Sequence, residues 1–165
     1  MHRLLPLTLF LLFFGCTNES EGEWSLKTGE NMPSFEVAME NGTLVRSVDL
    51  LGSPSLLIFF NTGCSDCRKT IPFVQKAHEK FGDRVRFVAI SREQHEKDVR
   101  SWWDDNGISI PFSGQEGREV YAKFASSRIP RIYIMNSGGV ITAAFDDNPC
   151  PTYENIEIAL DKLYE

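Results

Sequence analysis

The feature that most constrains this chain is a junction. Five consecutive apolar residues, Leu56-Leu57-Ile58-Phe59-Phe60, run directly into Asn61-Thr62-Gly63-Cys64-Ser65-Asp66-Cys67. An unbroken apolar run of this length, introduced by the breaker sequence Gly52-Ser53-Pro54-Ser55, is expected of a strand covered on both faces. Beyond the cysteines, Phe73, Val74, Ala77 and Phe81 recur at helical spacing, and Gly82 marks a stop. Cys64 therefore falls at or just before the first turn of a helix that leaves a buried strand. Two cysteines across a first helical turn bring their sulfurs within disulfide reach, and the unsatisfied N–H groups and helix dipole there favour a thiolate.

The rest of the chain supplies partners for that strand. Residues 35–39 and 43–48 read as a hairpin around Glu40-Asn41-Gly42, and residues 85–90 as a second buried strand. Residues 93–106 read as a polar helix whose apolar face, Val99, Trp102 and Trp103, fits core packing better than a ligand platform. A short extended piece (108–112) and a short helix (117–124) follow. Residues 131–135 and 140–145 flank the turn Asn136-Ser137-Gly138-Gly139, and residues 153–164 form a last amphipathic helix. Strands alternating with helices predict one α/β domain over residues 31–165, a central mixed sheet flanked by helices, with an N-terminal β-hairpin and a central strand-helix insertion.

The first residues address compartment. Met1-His2-Arg3 is a short basic head, residues 4–14 are almost wholly apolar, and Gly15-Cys16 follows. Eleven residues are too few to cross a bilayer as an ordinary helix, and the layout is that of an export signal. A small residue before cysteine resembles the processing site of bacterial lipoproteins, although Phe13 stands where those signals usually carry leucine. The expectation is a signal over residues 1–15, lipid on Cys16, and a polar tether over residues 16–30 that holds the domain at the periplasmic face of a bacterial envelope membrane. Of the four cysteines, Cys64, Cys67 and Cys150 then remain as thiols in an oxidising compartment, too few for a disulfide scaffold. A formal charge of -6 without a basic run argues against nucleic acid as a partner.

The chain resembles the thioredoxin superfamily, and in particular the membrane-anchored, extracytoplasmic thiol:disulfide oxidoreductases that include cytochrome-maturation reductases. The resemblance rests on MPSFEVAMENGTLVRSVDLLGSPSLLIFFNTGCSDCRKTIP, VRFVAIS and RIPRIYIMNSGGVI. It implies that Cys64 attacks a substrate disulfide and Cys67 resolves the mixed disulfide. It also implies that Pro72 kinks the active-site helix, and that Ile129-Pro130 is a cis bond exposing the Ile129 backbone to an extended substrate. Gly63 stands where the family commonly has tryptophan, leaving the substrate surface more open. Ile58 and Thr70 stand where family members carry an aspartate or a glutamate, so no carboxylate is assigned as proton relay; Glu93 or a water could serve. Implied partners are exported proteins with disulfides and a membrane electron donor, with the chain a monomer that uses no cofactor.

Direction follows from charge. Asp66 places negative charge between the sulfurs and disfavours a thiolate, with Arg68 and Lys69 offsetting it in part, which favours a reductant or isomerase-like role over a strong oxidant. Two rival readings use the same cysteines. A thiol peroxidase starts from Thr62 and Cys64; a copper carrier would need a third ligand, for which His95 is the only one in view, and no four-ligand metal spacing emerges. Cys150, in Asn148-Pro149-Cys150-Pro151, reads as a free thiol in an extended segment, and the resemblance puts that last loop away from the active edge.

Overall fold

A computed structural model of the chain describes residues 23–165; the expected signal over residues 1–15 and Cys16 lie outside the described residues. The junction forms as expected. Strand β3 (Ser55–Phe60) is buried along its whole length and is followed by helix α1 (Ser65–Phe81). It pairs in parallel with β4 (Arg86–Ser91) and antiparallel with β6 (Arg131–Met135). With β5 (Phe112–Ser113) and β7 (Ile141–Phe145) at the edges, the mixed sheet runs β5-β4-β3-β6-β7. The N-terminal hairpin, β1 (Glu36–Ala38) and β2 (Leu44–Arg46), is a separate antiparallel pair.

Alternation along the strands sorts the core into two layers. Leu56, Ile58, Phe60 and Phe87 share one face. There His78 of α1 meets the Phe87 ring with centroids 5.1 Å apart, and Trp103 of α2 (Glu96–Asp105) meets Phe60 at 4.7 Å. Helix α3 (Tyr153–Asp161) packs against α1. The opposite face carries Leu57, Phe59 and Tyr133, and Phe59 is ringed by Phe124, Tyr121 and Tyr133 at 4.8, 5.5 and 6.3 Å. The buried Trp103 thus serves packing.

Several boundaries differ from the sequence reading, each for a traceable reason. The extended piece near residues 108–112 shrinks to β5 because side chains take its backbone groups: Gln75 accepts from the Ser109 N–H at 2.9 Å, and Trp103 Nε1 donates to the Ile110 carbonyl at 2.9 Å. Helix α2 starts at Glu96 because Gln94 is bridged to Gln115. The short helix at 117–124 is only a 3-10 turn, Tyr121–Lys123, as Tyr121 and Phe124 both turn into the core. Part of the expected tether is folded. Leu26 N–H donates to the Phe124 carbonyl at 2.8 Å, Ser25 bridges Ala125, and Asn31 bridges Val140, so the body begins before residue 31.

Candidate active site

The carboxyl ends of β3 and β4 place the site, because neighbouring parallel strands deliver their following loops side by side. Cys64 is the N-cap of α1 and Cys67 lies in its first turn. Both thiols are free; Cys64 is partly buried and Cys67 wholly so. Burial pushes the Cys67 thiol far above the usual cysteine range; the neighbouring Cys64 adds to this, while the Asn61 backbone N–H and the Arg92 guanidinium oppose it. Cys64 is thus the accessible sulfur and Cys67 the sequestered one. Pro72 sits inside α1, where it removes an N–H that would have reached back one turn.

The loop entering the site is tied to the segment that follows β4. Thr62 N–H donates to Gln94 Oε1 at 2.9 Å, and Gln94 Nε2 donates to Thr62 Oγ1 at 2.5 Å. Asn61 Nδ2 reaches the Glu93 carbonyl at 3.4 Å, while Asn61 Oδ1 accepts from Gly63 N–H at 2.7 Å. That turn is tight: a Cβ on Gly63 would stand 3.0 Å from Asn61 Oδ1. Arg68 Nε donates to the Thr62 carbonyl, and Lys69 pairs with Asp66 at 3.2 Å.

Across the site lies the Ile129-Pro130 loop, whose peptide bond is cis. The Cys64 thiol faces the Ile129 carbonyl at 3.6 Å. Arg128, just before it, has a φ of +70°, and its carbonyl accepts from the Tyr121 hydroxyl at 2.6 Å. Cys64 thus lies beside Cys67 and against the Ile129 carbonyl, with Gly63 and Pro130 next to them in the chain.

A family model described as the AhpC/TSA family matches residues 28–144. The chain belongs to the AhpC/TSA family. Among relatives it resembles the thioredoxin-like protein YneN of Bacillus subtilis, 28% identical over 125 residues, which is 74% of this chain and 73% of that protein. It is also similar to the thiol-disulfide oxidoreductase ResA of the same species, 24% identical over 140 residues, 82% of this chain and 78% of ResA. Among solved structures, the thioredoxin domain of a thiol-disulfide oxidoreductase from Bacteroides vulgatus superposes with a TM-score of 0.72 at 22% identity, covering 86% of this chain and all of that one. The fold of this AhpC/TSA member is thioredoxin-like.

Two expectations about nearby residues change. Glu93 is gripped by Arg118 and lies 2.9 Å from Arg92, and Arg118 above all holds its carboxyl below the usual range, so it is ionised and engaged rather than poised to take a proton. The segment leading to Cys150 is a turn with a cis Asn148-Pro149 bond rather than extended chain. Burial pushes the Cys150 thiol up, with Asp66 adding to the effect, and its sulfur faces the Asp147 carbonyl at 3.8 Å. His95 pairs its Nδ1 with Glu116 at 2.8 Å, and among the described residues no cluster of three or more His, Cys, Asp or Glu could hold a metal ion.

Gln94, Tyr121 and Arg92 were not singled out in the sequence. The available signal was position: Arg92 to Gln94 follow a strand parallel to the one that delivers the cysteines.

Proposed function

We propose that this chain is a thiol:disulfide oxidoreductase acting on disulfides of exported proteins, in the reducing or isomerising direction. The observation that carries the reading is the accessible Cys64 thiol at a helix N-terminus, beside buried Cys67 and 3.6 Å from the Ile129 carbonyl. Cys64 thiolate attacks one sulfur of a substrate disulfide, forming a mixed disulfide and releasing the other sulfur as a thiolate. Cys67 then attacks Cys64, the Cys64–Cys67 disulfide forms, and the second substrate sulfur leaves, taking up the proton that Cys67 gives to solvent. The substrate gains two electrons and the chain loses them. An extended substrate lies along the backbone at Ile129, over the open surface left at Gly63.

Direction is supported by where the local charges go. Lys69 is paired with Asp66 and Arg68 with the Thr62 carbonyl, and Cys67 is strongly held in its protonated form. Weak thiolate stabilisation makes a dithiol a better reductant. Turnover then needs a membrane electron donor, consistent with lipid attachment at Cys16 on the periplasmic face and a monomeric domain. The peroxidase alternative begins from Thr62, whose hydroxyl is occupied by Gln94 at 2.5 Å.

The decisive experiment is the equilibrium potential of the Cys64/Cys67 pair, combined with the partners trapped by Cys67→Ser. A potential at or above about -120 mV overturns the reducing direction. Trapped partners carrying haem-attachment cysteines would assign cytochrome maturation, and a spread of unrelated exported proteins general disulfide repair.

A further inference from the structure

We propose that Glu23 is a positioning residue for the substrate loop, clamping the two arginines that flank Ile129-Pro130. Its carboxylate lies 2.6 Å from Arg128 Nε and 3.3 Å from Arg131 Nη2. The other acids in this cluster reach one arginine each, Asp147 pairing with Arg128 at 3.4 Å and Asp146 with Arg131 at 3.3 Å. Glu23 alone among them spans the loop.

The loop has reason to need a clamp. Arg128 sits at a φ of +70°, a backbone region that non-glycine residues rarely adopt and that persists where surrounding contacts over-determine it. From the core side, Tyr121 donates to the Arg128 carbonyl at 2.6 Å, and the Arg131 guanidinium, almost wholly buried, donates to the Ser127 carbonyl at 2.9 Å from Nη2. From the outer side the contact shared by both arginines is Glu23, carried on a strap stitched to the segment just before the loop. Trp24 N–H donates to Ser126 Oγ at 2.9 Å, Ser126 N–H to the Trp24 carbonyl at 2.9 Å, and Leu26 N–H to the Phe124 carbonyl at 2.8 Å. The strap thereby fixes the edge that presents the Ile129 carbonyl to Cys64, and its effect falls on substrates that dock along that edge. A small disulfide that reaches Cys64 without pairing to the loop is indifferent to it.

The inference rests on the proposed docking role of Ile129-Pro130, and the test separates the two. In the full chain, Glu23→Gln should raise KM for reduction of insulin about fivefold with kcat unchanged, the scale of a partly exposed charge pair. Reduction of hydroxyethyl disulfide should not change, and Glu23→Asp, which keeps the charge, should recover part of the insulin KM. An unchanged insulin KM in Glu23→Gln, or an equal loss with both substrates, overturns the role of Glu23. Pro130→Ala serves as the reference: if it raises the insulin KM while Glu23→Gln does not, Glu23 alone is refuted. If neither variant moves it, the docking reading falls as well.

Discussion

The Ile129 carbonyl lies 3.6 Å from the Cys64 thiol, although 65 positions separate the two residues. A substrate sulfur approaching Cys64 therefore meets a backbone edge at the same moment. In the proposed function this pairing makes the reactive thiol a site for extended polypeptides, because main-chain hydrogen bonds give affinity without regard to side chains.

The two cysteines should fail in different ways. Cys64→Ser should abolish insulin reduction and form no mixed disulfide. Cys67→Ser should still attack but should stall, accumulating a covalent adduct through Cys64 that a strong dithiol releases. Non-reducing gels with mass spectrometry of the adduct check this, and equal trapping by both variants would remove the assignment of attacker and resolver.

Resolution should be the pH-sensitive step. The attacking species at Cys67 is the thiolate, and burial raises the thiol far above its ordinary value of 9.0, so the reactive fraction is small at neutral pH. Raising pH increases that fraction about tenfold per unit while the group remains mostly protonated, so decay of a preformed Cys64 mixed disulfide should accelerate steadily with pH. Stopped-flow release of a chromogenic thiol from that adduct gives the profile. A plateau below about pH 8 would mean that Cys67 ionises far more readily than its burial dictates.

The fold was legible where one residue pattern had one physical solution. The run from Leu56 to Phe60 had to be a covered strand, and the breaker before it and the helical spacing after it left Cys64 at a helix start. Residues 117–124 were less legible, because Tyr121 and Phe124 are helix-compatible in isolation and only their shared contact with Phe59 shows why the segment remains a single 3-10 turn. The placement of the cysteine pair at a helix start and the cis Ile129-Pro130 bond were readable from motif and resemblance. The site's supports were not: Gln94 sits 32 positions from Thr62 and Glu23 lies over a hundred from Arg131, and no local pattern encodes such pairings. Cys150 shows the opposite failure. Its flanking prolines read as extended chain, whereas Asn148 and Pro149 form a turn with a cis bond between them, closed by Asn148 N–H on Asp146 Oδ1 at 2.8 Å.

Gln94 should matter for stability as much as for chemistry. Thr62 is buried, with 5% of its surface exposed, and Gln94 satisfies both its N–H and its hydroxyl. Gln94→Ala leaves both unpaired, so unfolding should become easier by about 1–3 kcal/mol. Denaturant unfolding of the reduced protein measures this, and a change within error of zero would show that solvent replaces the amide without cost.

Tyr121 offers the cleanest separation of support from packing, because the fold contains its own control. Tyr121 and Tyr133 are both buried, both touch Phe59, and each hydroxyl donates to a backbone carbonyl: Tyr121 to Arg128 at 2.6 Å, Tyr133 to Phe124 at 2.9 Å. Removing either hydroxyl keeps the ring and deletes one buried hydrogen bond, so Tyr121→Phe and Tyr133→Phe should each cost about 1–2 kcal/mol in unfolding free energy. Their kinetic effects should differ. The Arg128 carbonyl adjoins the cis bond that presents Ile129 to Cys64, whereas the Phe124 carbonyl lies before the loop, so only Tyr121→Phe should raise KM for insulin. Neither should alter reduction of a small disulfide. Equal KM shifts in both variants would mean that core stability, rather than the hold on the loop, sets substrate affinity; no shift in either would show that the loop keeps its geometry without the tyrosine.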